Sequence, residues 1–157
     1  MAFPYKTVLI TGATGGIGRA LAERMIADDI FVIAVGRRSD RLDDLVSKHG
    51  SDKVVEKIIT AYPSLSCIVL NTGFQRTVDF THPKTISRSL LTSEVHTNYL
   101  SSLHTISLFL PHFISLSKAL PNPTPASIIL ISSGLAIVPV AHYANYCATK
   151  SALRSLA

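Results

Sequence analysis

Charge is what this chain has least of. Only 16% of its residues are Asp, Glu, Lys or Arg, against a usual quarter, while 47% are hydrophobic. That balance calls for strands buried on both faces, or for a surface meant to meet a partner. The net charge is +5, but the fifteen Lys and Arg are scattered from Lys6 to Arg154, and the densest group is Arg37, Arg38 and Arg41. The chain lacks a basic stripe with interleaved aromatics, which argues against nucleic-acid binding. Cysteine is sparse too. Cys67 and Cys147 stand in apolar or helical context without metal-ligand spacing, so no metal site is expected, and reduced thiols in the cytoplasm are the simplest account.

Long hydrophobic runs are also missing. Met1 to Lys6 does not begin the apolar core of a signal peptide. The most apolar stretch, Ile128 to Val140, is broken by Ser132, Ser133, Gly134 and Pro139, and it is too short to span a bilayer. The chain reads as soluble, and its 157 residues predict one domain with room for a real core.

What is present alternates between strand and helix. Thr7 to Ile10 is a short apolar run without alternation, as in a strand buried on both faces. It leads into Thr11-Gly12-Ala13-Thr14-Gly15-Gly16-Ile17-Gly18, and Arg19 to Ala27 then has helical periodicity. Glycines between a strand and a helix let the backbone approach a pyrophosphate, and the helix start offers free N–H groups and a positive dipole end. The spacing Gly-x-x-x-Gly-x-Gly differs from the commonest dinucleotide fingerprint. A tight turn without a ligand is the plain alternative.

Ile30 to Val35 is a second β-branched run, which completes a βαβ unit. Where an NAD site usually places an acidic residue for the ribose 2′-OH, this chain has Gly36-Arg37-Arg38, with no Asp or Glu before Asp40. A guanidinium there suits a 2′-phosphate, which favours NADP over NAD; solvated arginines after a strand are the alternative. Helices are expected from Ser39 to His49 and from Val54 to Tyr62, and a third buried strand from Leu65 to Leu70. Asn71-Thr72-Gly73 then turns at a carboxyl strand end, where ligands of open α/β sheets collect. A long helix is expected from Glu94 to about His112, carrying Asn98, with Pro111 ending or kinking it. Pro121 to Pro125 reads as a rigid connector, and Ser127 to Ile131 as a fourth buried strand ending in Ser132-Ser133-Gly134. Taken singly, Asn98 could be a helix-surface amide, and Ser132-Ser133 a strand-end turn.

A last helix, expected to continue to the end of the sequence, carries Tyr146-Cys-Ala-Thr-Lys150. Residues four apart share one helix face. A phenol is a poor acid near neutrality, with an ordinary pKa of about 10, and a fixed cation beside it favours the phenolate. A half-buried Tyr and a solvated Lys would be the plain reading of that pair alone.

Taken together and in this order, these motifs resemble the short-chain dehydrogenases/reductases, a family of Rossmann-fold oxidoreductases that depend on NAD(P)(H). The resemblance covers almost the whole chain. It implies an α/β fold with a doubly wound parallel sheet, and hydride transfer between NADP(H) and a small-molecule carbonyl or alcohol. By the resemblance Tyr146 would be the acid/base, and Lys150 would assist it and hydrogen-bond the nicotinamide ribose. Ser133, rather than Ser132, would hold the substrate oxygen, and Asn98 would anchor a proton-relay water. Gly12, Thr14, Gly16, Ile17 and Gly18 would wrap the pyrophosphate, Arg37 the 2′-phosphate, and Asn71 to Gly73 would line the ribose side.

The chain departs from that family in two places. Too few residues separate Val35 from Cys67 for the strand expected there, as if it had been cut out near Lys53-Val54-Val55. The region that follows the catalytic helix in the family is absent as well. Both losses fall at the sheet edges and leave four central strands in the family's order 2-1-4-5. Two functions are therefore expected: an NADP(H)-dependent oxidoreductase, able to form a homo-oligomer, or a truncated, catalytically impaired fragment that keeps at most partial nucleotide binding or a partner-association role.

Overall fold

The computed structural model of the protein describes residues 3–36, 61–119 and 126–157. Arg37 and Arg38, the helix expected over 39–49, most of that expected over 54–62, the segment at Lys53-Val54-Val55 and the connector 121–125 lie outside them. The chain packs as two compact units, Met1–Asn71 with Leu108–Ile129, and Thr72–Ser107 with Leu130–Ala157.

The first unit is built on an apolar sheet. Strand β1 (Thr7–Thr11) leads into helix α1 (Gly16–Ala27), which returns the chain to β2 (Phe31–Val35); β3 (Cys67–Leu70) and β4 (Ser127–Leu130) follow. The order across the sheet is β2-β1-β3-β4, as the sequence led one to expect. β1 runs parallel to both neighbours, with Thr7 opposite Phe31 and Val8 opposite Cys67. Consecutive side chains of β1 and β3 are buried, so both faces of these strands are covered. Val8, Leu9, Ile10, Cys67, Ile68, Val69 and Leu70 are all buried, which explains why these runs show no alternation. Each such Val, Leu or Ile gains about 1.5–3 kcal/mol by leaving water. The chain builds β2 on one side of β1 and β3 on the other. Such a reversal opens a crevice at the carboxyl ends of the strands, where the glycine turn begins.

β4 corrects the expectation of a fourth buried strand. All four of its residues are half-buried, at one end of the order across the sheet, whereas β2 at the other end buries Val32, Ile33 and Ala34. Its anchors are polar: the Tyr5 and Ser127 hydroxyls share a hydrogen bond, and the Ser127 N–H donates to the Ser66 carbonyl at 2.8 Å.

The second unit is helical. Helix α2 (Arg88–Val95) runs through a π-helical turn, His96–Leu100, into α3 (Ser101–Ala119). Only the part of α3 up to Ser107 belongs to this unit; the remainder belongs to the first. A short 3₁₀ turn, Gly134–Ala136, precedes helix α4 (Ala144–Arg154). The helical run starts earlier than expected because Ser87 caps it, its hydroxyl accepting the Leu90 N–H at 3.4 Å. Pro111 sits inside α3 instead of ending it. α4 closes at Arg154, before the last residue, where the Ser155 N–H turns back to the Ser151 and Ala152 carbonyls at 3.1 Å.

Leu9→Ala should cost about 3 kcal/mol of stability in urea unfolding, as large-to-small changes at fully buried sites do. Leu108→Ala, at a position 65% exposed, should stay within about 0.5 kcal/mol of wild type.

Candidate active site

Two sets of predicted residues form local constructions, one in each unit. In the first unit, the chain leaves β1 by a turn that needs glycine. Gly12 has φ 68° and Gly16 φ 54°, in the left-handed region that side chains disfavour. The Gly12 N–H is tied to the Val35 carbonyl at 2.8 Å. Gly18 is glycine for another reason. A Cβ there would lie 2.3 Å from the Gly12 carbonyl oxygen and 2.4 Å from Asn71 Nδ2, so the first turn of α1 sits directly on the turn before it. Asn71 closes the construction, its side chain donating to the Gly12 carbonyl at 3.4 Å and its N–H to Thr11 Oγ1 at 3.1 Å. Thr14 is buried, and Ile17 is 61% exposed.

This turn suits a pyrophosphate. α1 begins at Gly15 and Gly16, with no acidic residue in its first turn, so its N–H groups and positive dipole end meet no carboxylate of their own helix. No Cβ on Gly15, Gly16 or Gly18 obstructs a close approach. Gly12, Thr14, Gly16, Ile17 and Gly18 are the residues that could hold the group, with Asn71 fixing the turn from β3.

In the second unit, Lys150 and Asn98 are buried together. Asn98 lies in the π-helical turn with no exposure, which rules out a surface amide. Its Oδ1 accepts the Phe74 N–H at 2.9 Å, while its Nδ2 donates to the Phe74 carbonyl at 2.8 Å and to Thr149 Oγ1 at 3.1 Å. Thr149 Oγ1 in turn donates to the Tyr146 carbonyl at 2.8 Å. The Lys150 ammonium donates to the Ile131 carbonyl at 2.9 Å and stands 5.8 Å from the Tyr146 ring centroid. Gly73 leaves room for this approach: a Cβ there would come within 3.2 Å of Lys150 Nζ and 3.3 Å of Asn98 Oδ1.

The two serines have different tasks. Ser132 Oγ donates to the Lys150 carbonyl at 3.1 Å, a strut to α4. Ser133 is half-buried, and its Oγ accepts the Leu135 N–H at 3.2 Å. Ser133 therefore does cap a strand-end turn, and its own proton is left for a further acceptor. Ser151 Oγ ties the same turn to α4 through the Ala136 carbonyl at 3.0 Å.

Lys150 is only 3% exposed, and burial pushes its ammonium below the ordinary lysine value. The folded chain thus gives up this proton at a lower pH than the unfolded chain. Between the two values the unfolded state binds more protons, so stability rises with pH across that window. Cys67, buried within β3, is pushed up to about 12 by desolvation and is an inert thiol at neutral pH.

The structure joins Asn98, Gly73, Tyr146 and Lys150 in one cluster, and Gly12, Gly18 and Asn71 in another. Arg37 lies outside the described residues. Sequence reasoning missed Thr149, although it stands inside the Tyr146–Lys150 stretch, and missed the hydroxyl of Thr11 at the end of β1. It also missed the Ile131 carbonyl, for which no side-chain signal exists. Among the described residues, no group of three or more His, Cys, Asp or Glu could hold a metal ion, and no helix is long and apolar enough to cross a membrane.

Gly18→Ala should destabilise the protein by more than about 2 kcal/mol and weaken dinucleotide binding, because the obstructing atoms include backbone. Lys150→Met should remove the alkaline rise in stability. Unfolding free energies measured at stepped pH should climb for wild type between the lowered and the ordinary lysine value, and climb less for the variant.

A family model described as short chain dehydrogenase matches residues 6–53 and 43–157. An uncharacterized oxidoreductase of Bacillus subtilis, DltE, is 33% identical over 171 residues, 99% of this chain and 64% of its own length. A short-chain dehydrogenase from Streptomyces avermitilis superposes with a TM-score of 0.82 at 24% identity, over 99% of this chain and 59% of that one. ElxO, solved with NADP bound, gives 0.81 at 20% identity, over 97% and 65%. The chain spans about three fifths of the length of the curated relatives it matches. On the match along nearly its whole length, the chain belongs to the short-chain dehydrogenase family.

Proposed function

We propose that the protein is an NADP(H)-dependent oxidoreductase that interconverts a small-molecule carbonyl and its alcohol, with Tyr146 as the acid/base. The observation that carries this reading is the buried Lys150 ammonium beside the Tyr146 ring, held by the Ile131 carbonyl. A cation out of water has a stronger field than one in solvent, and this one stands 5.8 Å from the centre of the Tyr146 ring. Tyr146 gives a proton to the substrate oxygen in reduction and takes it back in oxidation. Ser133, whose hydroxyl accepts from Leu135 and keeps its own proton, donates a second hydrogen bond to that oxygen. Asn98 holds Phe74 and Thr149 in place around the lysine.

The glycine turn of the first unit is the proposed seat of the dinucleotide phosphates, with Gly12, Thr14, Gly16, Ile17 and Gly18 around them. When bound, the nicotinamide supplies or accepts the hydride. Family members use NAD(P), and the guanidinium of Arg37 is the feature of this sequence that favours a 2′-phosphate. The two free cysteines are buried, in keeping with the cytoplasm as the compartment we propose.

Titration of the purified chain with NADPH, followed by cofactor fluorescence, and then carbonyl-dependent oxidation of NADPH, tests the reading. Saturable binding with turnover is expected, and Tyr146→Phe should lower kcat by at least about 100-fold while sparing binding. Binding without turnover would favour the impaired-fragment alternative instead. Arg37→Asp should shift preference toward NAD by about tenfold or more; an unchanged ratio would remove Arg37 from that role.

A further inference from the structure

The second unit contains a pair of polar rungs of which the mechanism above uses only one. Glu94 and Asn98 are four residues apart, and neither is exposed to solvent. On α4, Asn145 and Thr149 are also four apart, so each pair lies on one side of its helical run. Asn145 Nδ2 donates to Glu94 Oε2 at 2.8 Å and to the Leu91 carbonyl at 3.3 Å. Asn98 Nδ2 donates to Thr149 Oγ1 at 3.1 Å. The two rungs therefore join α4 to the same helical run, one turn apart. Each ends on the residue immediately before a member of the reactive pair: Asn145 precedes Tyr146, and Thr149 precedes Lys150.

The Glu94 rung is poorly explained by stability. Glu94 Oε1 is buried without a hydrogen-bond partner, a condition that folded proteins seldom leave in place. An apolar pair of similar volume commonly makes a fold as stable or more so. The rung does supply orientation at a point where α4 has little of its own. The residue before α4, Tyr143, makes no side-chain cap, and the first turn carries no acidic residue. The other ties described for α4, at Thr149, Lys150 and Ser151, hold its later turns, and Asn145 is the tie on its first turn. The Glu94 rung thus adds a directional contact one turn before the Thr149 rung.

We propose that Glu94 is a positioning residue: through Asn145 it sets the rotation of the first turn of α4, and with it the direction in which the Tyr146 phenol leaves the helix. The inference rests on the reading of Tyr146 as the acid/base.

The test is the full chain carrying Glu94→Met together with Asn145→Leu, which removes both partners and leaves neither orphaned. The expected Tm is equal to or above that of wild type, with NADPH affinity unchanged and kcat lowered roughly tenfold or more, as small misplacements of reacting groups do. The ring resonances of Tyr146 in ¹³C-labelled protein, assigned with Tyr146→Phe, should shift. Glu94→Gln keeps an acceptor oxygen for Asn145 and should retain most of the wild-type kcat. Wild-type turnover and unmoved Tyr146 resonances in the double variant would overturn the assignment. So would a double variant that fails to fold, which would make the pair a stability element, or a Glu94→Gln chain as slow as the double variant. If wild type itself turns over no carbonyl, the acid/base reading fails, and the Tyr146 resonances still decide the role of the rung.

Discussion

A lysine ammonium almost wholly out of water is the constraint on which the second unit depends. Its cost is high unless the charge finds acceptors, and here the identified acceptor is a backbone carbonyl, that of Ile131. Keeping Lys150 in that place requires a missing side chain at Gly73, a strut from Ser132 to its own carbonyl, and Asn98 to hold Phe74 at the edge of the cluster. Each of these would be an idle polar feature in a protein without a buried cation. Around one they form a single arrangement that leaves the Tyr146 ring beside the charge.

The two units are held together internally by different physics. In the first, the fully buried residues are mostly Val, Leu and Ile of β1, β2 and β3. Their contribution is non-directional, proportional to area, and tolerant of the exact angle of each side chain. In the second, Glu94, Asn98, Ser102, Thr149 and Lys150 are buried beside Val78, Cys147 and Leu153. Hydrogen bonds among such groups add little net stability each, yet they are costly to leave unmade and strict in geometry. The apolar unit offers a stable platform for a backbone turn. The polar unit offers orientation.

Much of this was legible in the sequence because strands and glycine turns write themselves in side chains. The unbroken apolar runs at Thr7 to Ile10 and Leu65 to Leu70 marked central strands, and the glycines after β1 marked a backbone brought close to its neighbours. The half-exposure of β4 was not legible, since Ser-Ile-Ile-Leu reads alike in an edge strand and a central one. The start of α2 rested on one serine hydroxyl among many in a polar stretch. Within the site, Tyr146 and Lys150 were named by their spacing, but the partner that holds the lysine is a carbonyl that every residue possesses. Glu94 gave no sign at all, because an acidic residue on a helix is ordinarily solvated, and its burial becomes visible only when Asn145, 51 residues away in sequence, is found against it.

The most direct measurement of the central claim is the fate of deuterium carried at both C4 positions of NADPH when the protein is offered a panel of aromatic and aliphatic aldehydes and ketones. The account predicts at least one alcohol product bearing a single deuterium on the former carbonyl carbon, formed by the Tyr146→Phe chain at least about 100-fold more slowly than by wild type. Bound NADPH with no labelled product from any member of the panel, or labelling at equal rates by the two chains, would contradict it.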